Sequence, residues 1–257
     1  MSTRLGPVHL TITDLDRSVA FYQDAIGLRQ HRREDGVAAL GADSEVVVLH
    51  EDTGARPRGR HAGLFHFALL FPDRAELARA LWRLVSRQVP LQGASDHGVS
   101  EALYLADPDD NGIELYRDRD RSEWPAPAHA GERVGMFNRP LDLEDLLDTV
   151  EGEDVGPRAG DGLVMGHMHL HVSELEDAVR FYAEEVALEE MTRYPGAAFM
   201  ARDGYHHHLG INTWLGEGVP PVPDGAVGLR RWTLVGGDGE PRELTDPSGN
   251  RVVVVGS

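Results

Sequence analysis

Two segments of this chain repeat each other closely enough to constrain its fold. The first, VHLTITDLDRSVAFYQDAIGL at 8–28, matches MHLHVSELEDAVRFYAEEVAL at 168–188. Each begins with the alternation of a half-buried strand and continues with apolar residues at helical spacing, among them a Phe-Tyr pair. β-like stretches follow, ending near 46–50 in the first copy and near 207–212 in the second. Such recurrence indicates a fold built from repeated modules.

A second pair of matching segments marks the ends of two further units. DPDDNGIEL at 107–115 and DPSGNRVVV at 246–254 each read as a turn that leads into a final strand. A strand at 64–71 and a helix at 75–87 precede the first turn, whereas only a strand at 229–235 precedes the second. The pattern predicts four βαβββ modules, of which the last has lost its helix and a strand; they lie at 5–52, 62–117, 163–213 and 225–257.

The predicted domains follow these modules along the chain. Residues 1–120 form an N-terminal domain with modules one and two, and residues 163–257 form a C-terminal domain with modules three and four. The connecting segment at 121–162 is rich in Arg, Asp, Glu and Pro and carries one amphipathic helix near 141–149. This composition is typical of a connection that lies over the surface.

The composition excludes several kinds of site. The chain has no cysteine, which rules out disulfides, thiolate catalysis and Cys-ligated metals. All 25 basic residues are Arg, so no lysine can form a Schiff base. The net charge of −18 weighs against nucleic acid, because phosphate binding needs clustered cations. Any metal must therefore be bound by carboxylates and by some of the 13 histidines.

No feature of the sequence indicates a membrane protein. No apolar run reaches the roughly 18 residues that a membrane-spanning helix needs. Residues 1–6 lack the apolar stretch of a secretory leader. We therefore expect a cytoplasmic protein without a membrane partner.

Three stretches carry a family resemblance: QGASDHGVSEALYLADPDDNGIELY at 92–116, GHMHLHVSEL at 166–175 and YHHHLGINTW at 205–214. With the repeated strand–helix pattern, they resemble the glyoxalase/extradiol dioxygenase superfamily, the vicinal oxygen chelate proteins. Within it, the chain is similar to bacterial catechol 2,3-dioxygenase-like proteins over nearly its whole length. The resemblance implies an α+β fold in which paired modules form half-open barrels around a divalent metal.

The family's ligand positions yield one complete set in this chain. Its first-strand ligand lies five positions before the last apolar residue of the strand, which gives His66 in module two and His167 in module three. Its last-strand ligand follows the DPxxN turn, which gives Glu114. The corresponding positions in modules one and four hold residues unsuited to this role: Pro7, Arg230 and Val253. Two His and one Glu suit a non-haem Fe(II), with Mn(II) as the alternative.

One ion bound by all three ligands requires modules two and three to share a barrel. Modules one and four would then form the other barrel, which would hold the positions without ligands. This arrangement differs from the commoner one, in which modules one and two pair and modules three and four pair.

The resemblance also implies catalytic residues beside the metal. The family's acid/base histidine lies on the last strand of module three, where His207 fits, and alternation would place His206 and His208 on the opposite face. A tyrosine ten positions before the Glu ligand corresponds to Tyr104. His97 is a further candidate for the substrate pocket. The register of the histidine run and the role of His97 stay open at this point.

With these residues, the resemblance implies an extradiol dioxygenase that inserts O₂ into a catechol-type aromatic diol, and we expect a homodimer, the ordinary assembly of soluble oligomers. The nearest alternative is a glyoxalase-like isomerase or thiol transferase. Those members usually carry a metal ligand on the last strand of both paired modules, so His207 at the counterpart of Glu114 favours the dioxygenase. A metal-free binding protein of the bleomycin-resistance kind is the third alternative, and the His/His/Glu set weighs against it. Which diol is cleaved is left open.

Overall fold

The computed structural model describes residues 3–237 and 240–256. Met1, Ser2, Asp238, Gly239 and Ser257, which belong to the predicted ranges 1–120 and 163–257, lie outside the described residues. The four α-helices are α1 (Leu15–Phe21), α2 (Arg74–Ser86), α3 (Leu143–Asp148) and α4 (Leu175–Glu184). A π-helical turn at Tyr22–Ile26 continues α1, and a 3₁₀ turn lies at Arg121–Glu123. None of the described helices is long and apolar enough to cross a membrane.

Modules one and four form one sheet, named here the 1–4 sheet. Its strands are β1 (Arg4–Leu5), β2 (Val8–Ile12), β3 (Arg29–Glu34), β4 (Val37–Gly41), β5 (Glu45–Glu51), β15 (Gly228–Gly237), β16 (Arg242–Thr245) and β17 (Arg251–Gly256). They follow the order β16–β17–β15–β2–β5–β4–β3, with β1 paired to β15.

Modules two and three form the other sheet, the 2–3 sheet. Its strands are β6 (Gly63–Phe71), β7 (Gly93–Asp96), β8 (Ser100–Ala106), β9 (Gly112–Asp118), β10 (Arg139–Pro140), β11 (Val164–His171), β12 (Glu189–Tyr194), β13 (Ala197–Ala201) and β14 (Leu209–Asn212). They follow the order β10–β7–β8–β9–β6–β11–β14–β13–β12.

The module pairing is the one that a single metal site requires. The antiparallel pair β6/β11 joins modules two and three, and β2/β15 joins modules one and four. The described part of module four contains three strands and no helix, which confirms the predicted α+β fold with a truncated last module. The predicted boundaries at 120 and 163 divide the chain along its sequence, whereas each sheet contains strands from both sides of them.

Two tyrosines connect the helices to the Asp-Pro turns. The hydroxyl of Tyr22, just after α1, donates to Asp107 at 2.9 Å, and that of Tyr182 in α4 donates to Asp246 at 2.9 Å. All four side chains are buried. The Phe-Tyr and Asp-Pro motifs therefore have structural roles: they hold module one against module two and module three against module four.

The main core lies between the helices and the sheets, and it decides which face of β6 is free for a site. Phe67 and Leu69 enter this core together with Leu77 and Leu81 of α2. Because successive side chains of a strand point to opposite faces, His66 and Ala68 lie on the other face of the sheet.

The connecting segment does more than lie over the surface. Its predicted helix is present as α3. However, Arg139 and Pro140 pair with β7 and extend the 2–3 sheet, and Val134 is buried in a small cluster with Met191. The segment is exposed at Arg139 and Pro140 but packs into the protein at Val134. It is held there because the edge of β7 offers unpaired backbone groups that an extended chain satisfies.

Candidate metal centre and its cavity

The three predicted ligands converge because of the register around Ala68. In the sheet, Ala68 of β6 lies beside Glu114 of β9 on one side and His167 of β11 on the other. His66 stands two residues before Ala68 on the same face. Since Ala68 carries only a methyl group, the three larger side chains close over it. One ligand atom from each lies within 4.8 Å of the other two, and all three residues are buried.

The cluster contains one hydrogen bond, between His167 and Glu114, and one close contact that is not a hydrogen bond, between His66 and Glu114. Nε2 of His66 lies 2.9 Å from Oε2 of Glu114, and Nε2 of His167 lies 3.2 Å from the same oxygen. Nevertheless, the buried Nε2 of His66 makes no hydrogen bond. Leaving a buried polar atom unpaired costs about 1–3 kcal/mol, and a divalent cation between the three groups would use its lone pair. Two imidazoles and a carboxylate are a donor set that suits Fe(II) or Mn(II).

The protonation states also suit metal binding. Burial by itself would raise the pKa of Glu114, but the imidazoles of His167 and His66 outweigh it and hold the pKa well below its usual range. Burial lowers the pKa of His167, an effect that Glu114 partly offsets. At neutral pH the cluster therefore offers a carboxylate and, at His167, a neutral imidazole, which are the forms that coordinate metals.

Tyr104 and His97 lie together at the edge of this cluster. Tyr104 stands directly opposite Glu114 in the β8/β9 pair. Its hydroxyl lies 2.7 Å from Nε2 of His97, whose Nδ1 lies 3.2 Å from the backbone oxygen of Phe137. Since a carbonyl oxygen only accepts, Nδ1 of His97 donates, and Nε2 accepts from Tyr104. Burial, with Glu114 nearby, raises the pKa of Tyr104 well above its usual value.

The sequence analysis predicted that the three consecutive histidines lie on the last strand of module three, but they do not lie on a strand. They precede β14, which begins at Leu209, so strand alternation does not govern them, and all three are buried. Nδ1 of His206 lies 2.8 Å from Nδ1 of His207, so the two rings face each other. His207 lines the cavity, and its ring centroid lies 4.1 Å from that of His167. His208 turns away and accepts from the backbone amide of Arg202.

A cavity of about 420 Å³ opens from the metal cluster. Its lining includes the predicted residues His66, Glu114, Tyr104, His97 and His207. Most of the remaining wall is aromatic or apolar and consists of Phe65, Met136, Phe137, Tyr194, Phe199 and Trp214. No arginine stands among the described residues of the lining.

Sequence reasoning missed this aromatic wall. Phe65 precedes a predicted ligand and Trp214 ends one of the motifs, so both had a signal beside them. Met136 and Phe137 had none, because they belong to the connecting segment, whose path follows from the pairing of Arg139 and Pro140 with β7.

The counterpart of Glu114 in module three carries no ligand. Ala68 lies beside Glu114 in the parallel pair β6/β9, and His169 lies beside Gly210 in the equivalent pair β11/β14. His66 and His167 are equivalent positions, so Gly210, and not His207 as predicted, is the counterpart of Glu114. A Cβ at Gly210 would approach the ring of His169 to 2.9 Å. The sequence count misplaced His207 because the loop before β14 holds it outside the strand register.

Comparisons with known sequences agree with this fold. A family model described as the glyoxalase/bleomycin resistance protein/dioxygenase superfamily matches residues 4–115. A catechol-2,3-dioxygenase of Bacillus subtilis is 41% identical over 239 residues, which are 91% of this chain and 82% of the relative. Biphenyl-2,3-diol 1,2-dioxygenase 3 of Rhodococcus globerulus is 28% identical over 123 residues, which are 46% of this chain and 65% of the relative.

Solved structures share the fold at much lower identity. Glyoxalase I from Zea mays has a TM-score of 0.60 at 16% identity, with 99% of this chain and 92% of that chain covered. The cppA protein of Streptococcus pneumoniae has a TM-score of 0.58 at 11% identity, with 99% and 100% covered. The sequence relationship confirms the predicted family: the chain belongs to the glyoxalase/bleomycin resistance protein/dioxygenase superfamily.

Proposed function

We propose that this chain is an extradiol dioxygenase, which uses O₂ to cleave the ring of a catechol-type aromatic diol beside its two hydroxyls. The observation that carries the proposal is the buried His66–Glu114–His167 cluster, of which His66 and Glu114 line a largely aromatic cavity. The 41% identity to a catechol-2,3-dioxygenase over most of the chain supports it.

In this proposal His66, Glu114 and His167 hold Fe(II), with Mn(II) as the alternative metal. Three protein ligands leave coordination positions open for a diol and O₂. The bound metal would supply Lewis acidity toward the diol oxygens and electrons toward O₂. Gly210 at the counterpart of Glu114 supports a three-ligand set. It therefore weighs against the glyoxalase-like alternative, for which the family resemblance implied a ligand at both positions.

The chain's own residues would bind the diol and move its protons. His207 lines the cavity beside the metal cluster, where its imidazole can take a proton from a diol hydroxyl and return it later in the reaction. Tyr104, held by His97 at 2.7 Å, can share a hydrogen bond with a diol oxygen. The aromatic wall excludes water and packs against the ring of the substrate.

The residues that line the cavity also favour one class of diol as the substrate. A cavity of about 420 Å³ lies within the range of about 300–1,000 Å³ that accommodates drug-sized ligands. Because its described lining contains no arginine and includes the carboxylate of Glu114, an anionic substituent would find no counter-charge there. We therefore propose catechols with uncharged, apolar substituents as substrates.

Anaerobic loading with Fe(II), followed by a catechol and air, tests the proposal. We expect O₂ consumption and a yellow ring-fission product, with kcat/KM at least about tenfold higher for alkyl- or aryl-substituted catechols than for carboxylated ones, a difference of about 1.4 kcal/mol. Loading with Mn(II) in parallel identifies the metal that supports turnover. Absence of O₂ consumption with every catechol and either metal would overturn the proposal.

We also propose that the protein forms a homodimer, and light scattering measures its mass in solution.

A further inference from the structure

Two consecutive short hydrogen bonds connect His207, through His206, to a carboxylate at the end of β9. Nδ1 of His207 lies 2.8 Å from Nδ1 of His206. On the far side of the ring, Nε2 of His206 lies 2.7 Å from Oδ1 of Asp118, the last residue of β9. Asp118 lies 88 positions from His206 in sequence. None of the three candidate metal ligands takes part in these two hydrogen bonds.

With neutral imidazoles at His206 and His207, the direction of each hydrogen bond follows from the Asp118 acceptor. The carboxylate of Asp118 only accepts, so Nε2 of His206 carries the proton of that bond. In a neutral imidazole the other nitrogen is then bare, so Nδ1 of His206 accepts from Nδ1 of His207. His207 is thereby left with a bare Nε2, which makes no hydrogen bond to the described residues. Since His207 lines the cavity, this is the nitrogen available to a bound diol.

We infer that Asp118 and His206 are positioning residues, which orient His207 and hold it in the tautomer whose Nε2 can accept a proton in the cavity. The inference rests on the proposed function insofar as His207 serves a diol. The tautomer itself is a property of the protein alone.

The packing around His206 and Asp118 restricts their side chains to one arrangement. His206 is fully buried, with its ring 4.0 Å from that of Tyr205 and 5.5 Å from that of Trp124, measured between centroids. The second oxygen of Asp118 accepts from the hydroxyl of Tyr205 at 2.9 Å. The carboxylate is thus fixed from two sides. The imidazole of His206 is clamped between aromatic rings, so neither group can turn without losing a hydrogen bond.

Nitrogen-15 NMR of the full chain with labelled histidine tests the tautomer without catalysis. In the metal-free protein we expect His207 to show a protonated Nδ1 and a bare Nε2. His206→Phe keeps the aromatic packing but removes the nitrogen that accepts from His207. Asp118→Ala removes the carboxylate that accepts from His206. Both should convert His207 to a mixture of tautomers or to the form protonated on Nε2. His9→Phe is the matched control, because His9 is a half-buried histidine of the 1–4 sheet that also lies at hydrogen-bond distance from a second histidine, and it takes no part in the hydrogen bonds to His207.

Kinetics of the Fe(II)-loaded variants provide the second readout. We expect His206→Phe and Asp118→Ala to lower kcat by about tenfold to a hundredfold, part of what acid–base catalysis contributes, with KM and metal content unchanged. His9→Phe should stay close to the wild type. Circular dichroism verifies that each variant is folded.

The outcomes separate this inference from the proposed function. A wild-type His207 protonated on Nε2, or a tautomer unaffected by His206→Phe in a folded protein, overturns the inference even where O₂ uptake is normal. The predicted tautomer together with no O₂ uptake would overturn the proposed function and leave the tautomer assignment in place. A loss of metal in His206→Phe would mean that the residue supports the ligands rather than His207.

Discussion

At the scale of single residues, the site depends on which side chains are large and which are small. Ala68 lies between Glu114 and His167 in the sheet, and its methyl group leaves the space in which the ligand atoms meet. Gly210 at the counterpart of Glu114 keeps that side free of a fourth ligand. Nε2 of His66 is buried without a hydrogen bond. These features together favour a cation held from one side and open on the other.

The first prediction concerns the ligands. Replacing His66, Glu114 or His167 individually by Gln should lower the affinity for Fe(II) by roughly 100-fold or more, since even residues that merely support metal ligands contribute about 10- to 100-fold. Metal content after dialysis, measured by plasma mass spectrometry, reports the loss. His9→Gln is the matched control, because His9 is a strand histidine of the 1–4 sheet. Metal loss in His9→Gln with retention in His167→Gln would show that the ligand assignment is wrong.

The second prediction concerns Tyr104, whose hydroxyl meets His97 at 2.7 Å inside the cavity. Tyr104→Phe keeps the ring but removes one hydrogen bond near the diol. We expect kcat/KM to fall about tenfold, which corresponds to about 1.4 kcal/mol, with metal content unchanged. Steady-state O₂ uptake measures the effect. Unchanged kinetics would assign Tyr104 a role in packing alone.

At the scale of elements, the repeated motifs serve the fold more than the chemistry. Tyr22 reaches Asp107 across modules one and two, and Tyr182 reaches Asp246 across modules three and four. Burial raises the pKa of Asp107, and hydrogen bonds from Asn111, Asp109 and Tyr22 offset part of this rise. Each tyrosine hydroxyl therefore compensates a buried carboxyl group that would otherwise be costly.

The third prediction follows from these two contacts. Tyr22→Phe and Tyr182→Phe should each lower the free energy of unfolding by about 1.5–3 kcal/mol, the usual value of a hydrogen bond to a charged group. Urea denaturation of the metal-free protein measures it. Tyr194→Phe is the control, because the hydroxyl of Tyr194 makes no hydrogen bond with the described residues. An equal loss in all three variants would mean that the Asp-Pro contacts contribute nothing special.

At the scale of the whole molecule, the chain leaves one sheet and returns to it. It begins in the 1–4 sheet, builds the 2–3 sheet, and re-enters the first with β15. The central strand pairs β6/β11 and β2/β15 both join residues before 120 to residues after 163. The two sequence ranges therefore share both sheets.

The fourth prediction follows from this path. Fragments 1–120 and 163–257 should not fold separately, because each would expose a central strand edge and the apolar face beneath it. Circular dichroism and cooperative unfolding of each fragment test this expectation. Mixing the two fragments should restore structure in part. A cooperative transition in either fragment alone would contradict it and support separate domains.

The fifth prediction concerns pH. Burial lowers the pKa of His171 and of His208 from 6.5 to about 4. Between these values the unfolded chain binds protons that the folded protein excludes, so stability is fully present above pH 6.5 and is lost as the pH falls toward 4. Each histidine contributes a slope of about 1.4 kcal/mol per pH unit in this window.

Urea midpoints of the metal-free protein between pH 4 and 7 measure this slope. His171→Gln and His208→Gln should each flatten it, whereas His129→Gln, at an exposed position of the connecting segment, should not. A slope that the first two substitutions leave unchanged would assign the acid sensitivity to other groups.

Local patterns in the sequence were enough to predict the repeat, the α+β fold and the truncated fourth module, and the family resemblance indicated the three candidate ligands. The fold could be predicted because strand alternation is a local pattern, whereas the ligand positions came from the family resemblance: His66 and His167 follow its first-strand rule, and Glu114 follows the DPxxN turn. Their assembly in one cluster agrees with these positions, while their role as ligands stays a prediction.

The surroundings of that cluster became visible in the folded protein and could not be predicted from the sequence. The pairing of Asp118 with His206, the place of Gly210 opposite Glu114, and the approach of Phe137 from the connecting segment depend on strand register and loop path. A loop before β14 freed the histidine run from alternation. Contacts between residues so distant in sequence produce no periodic pattern in the sequence. They arise from the packing and strand-pairing energies of the folded sheets.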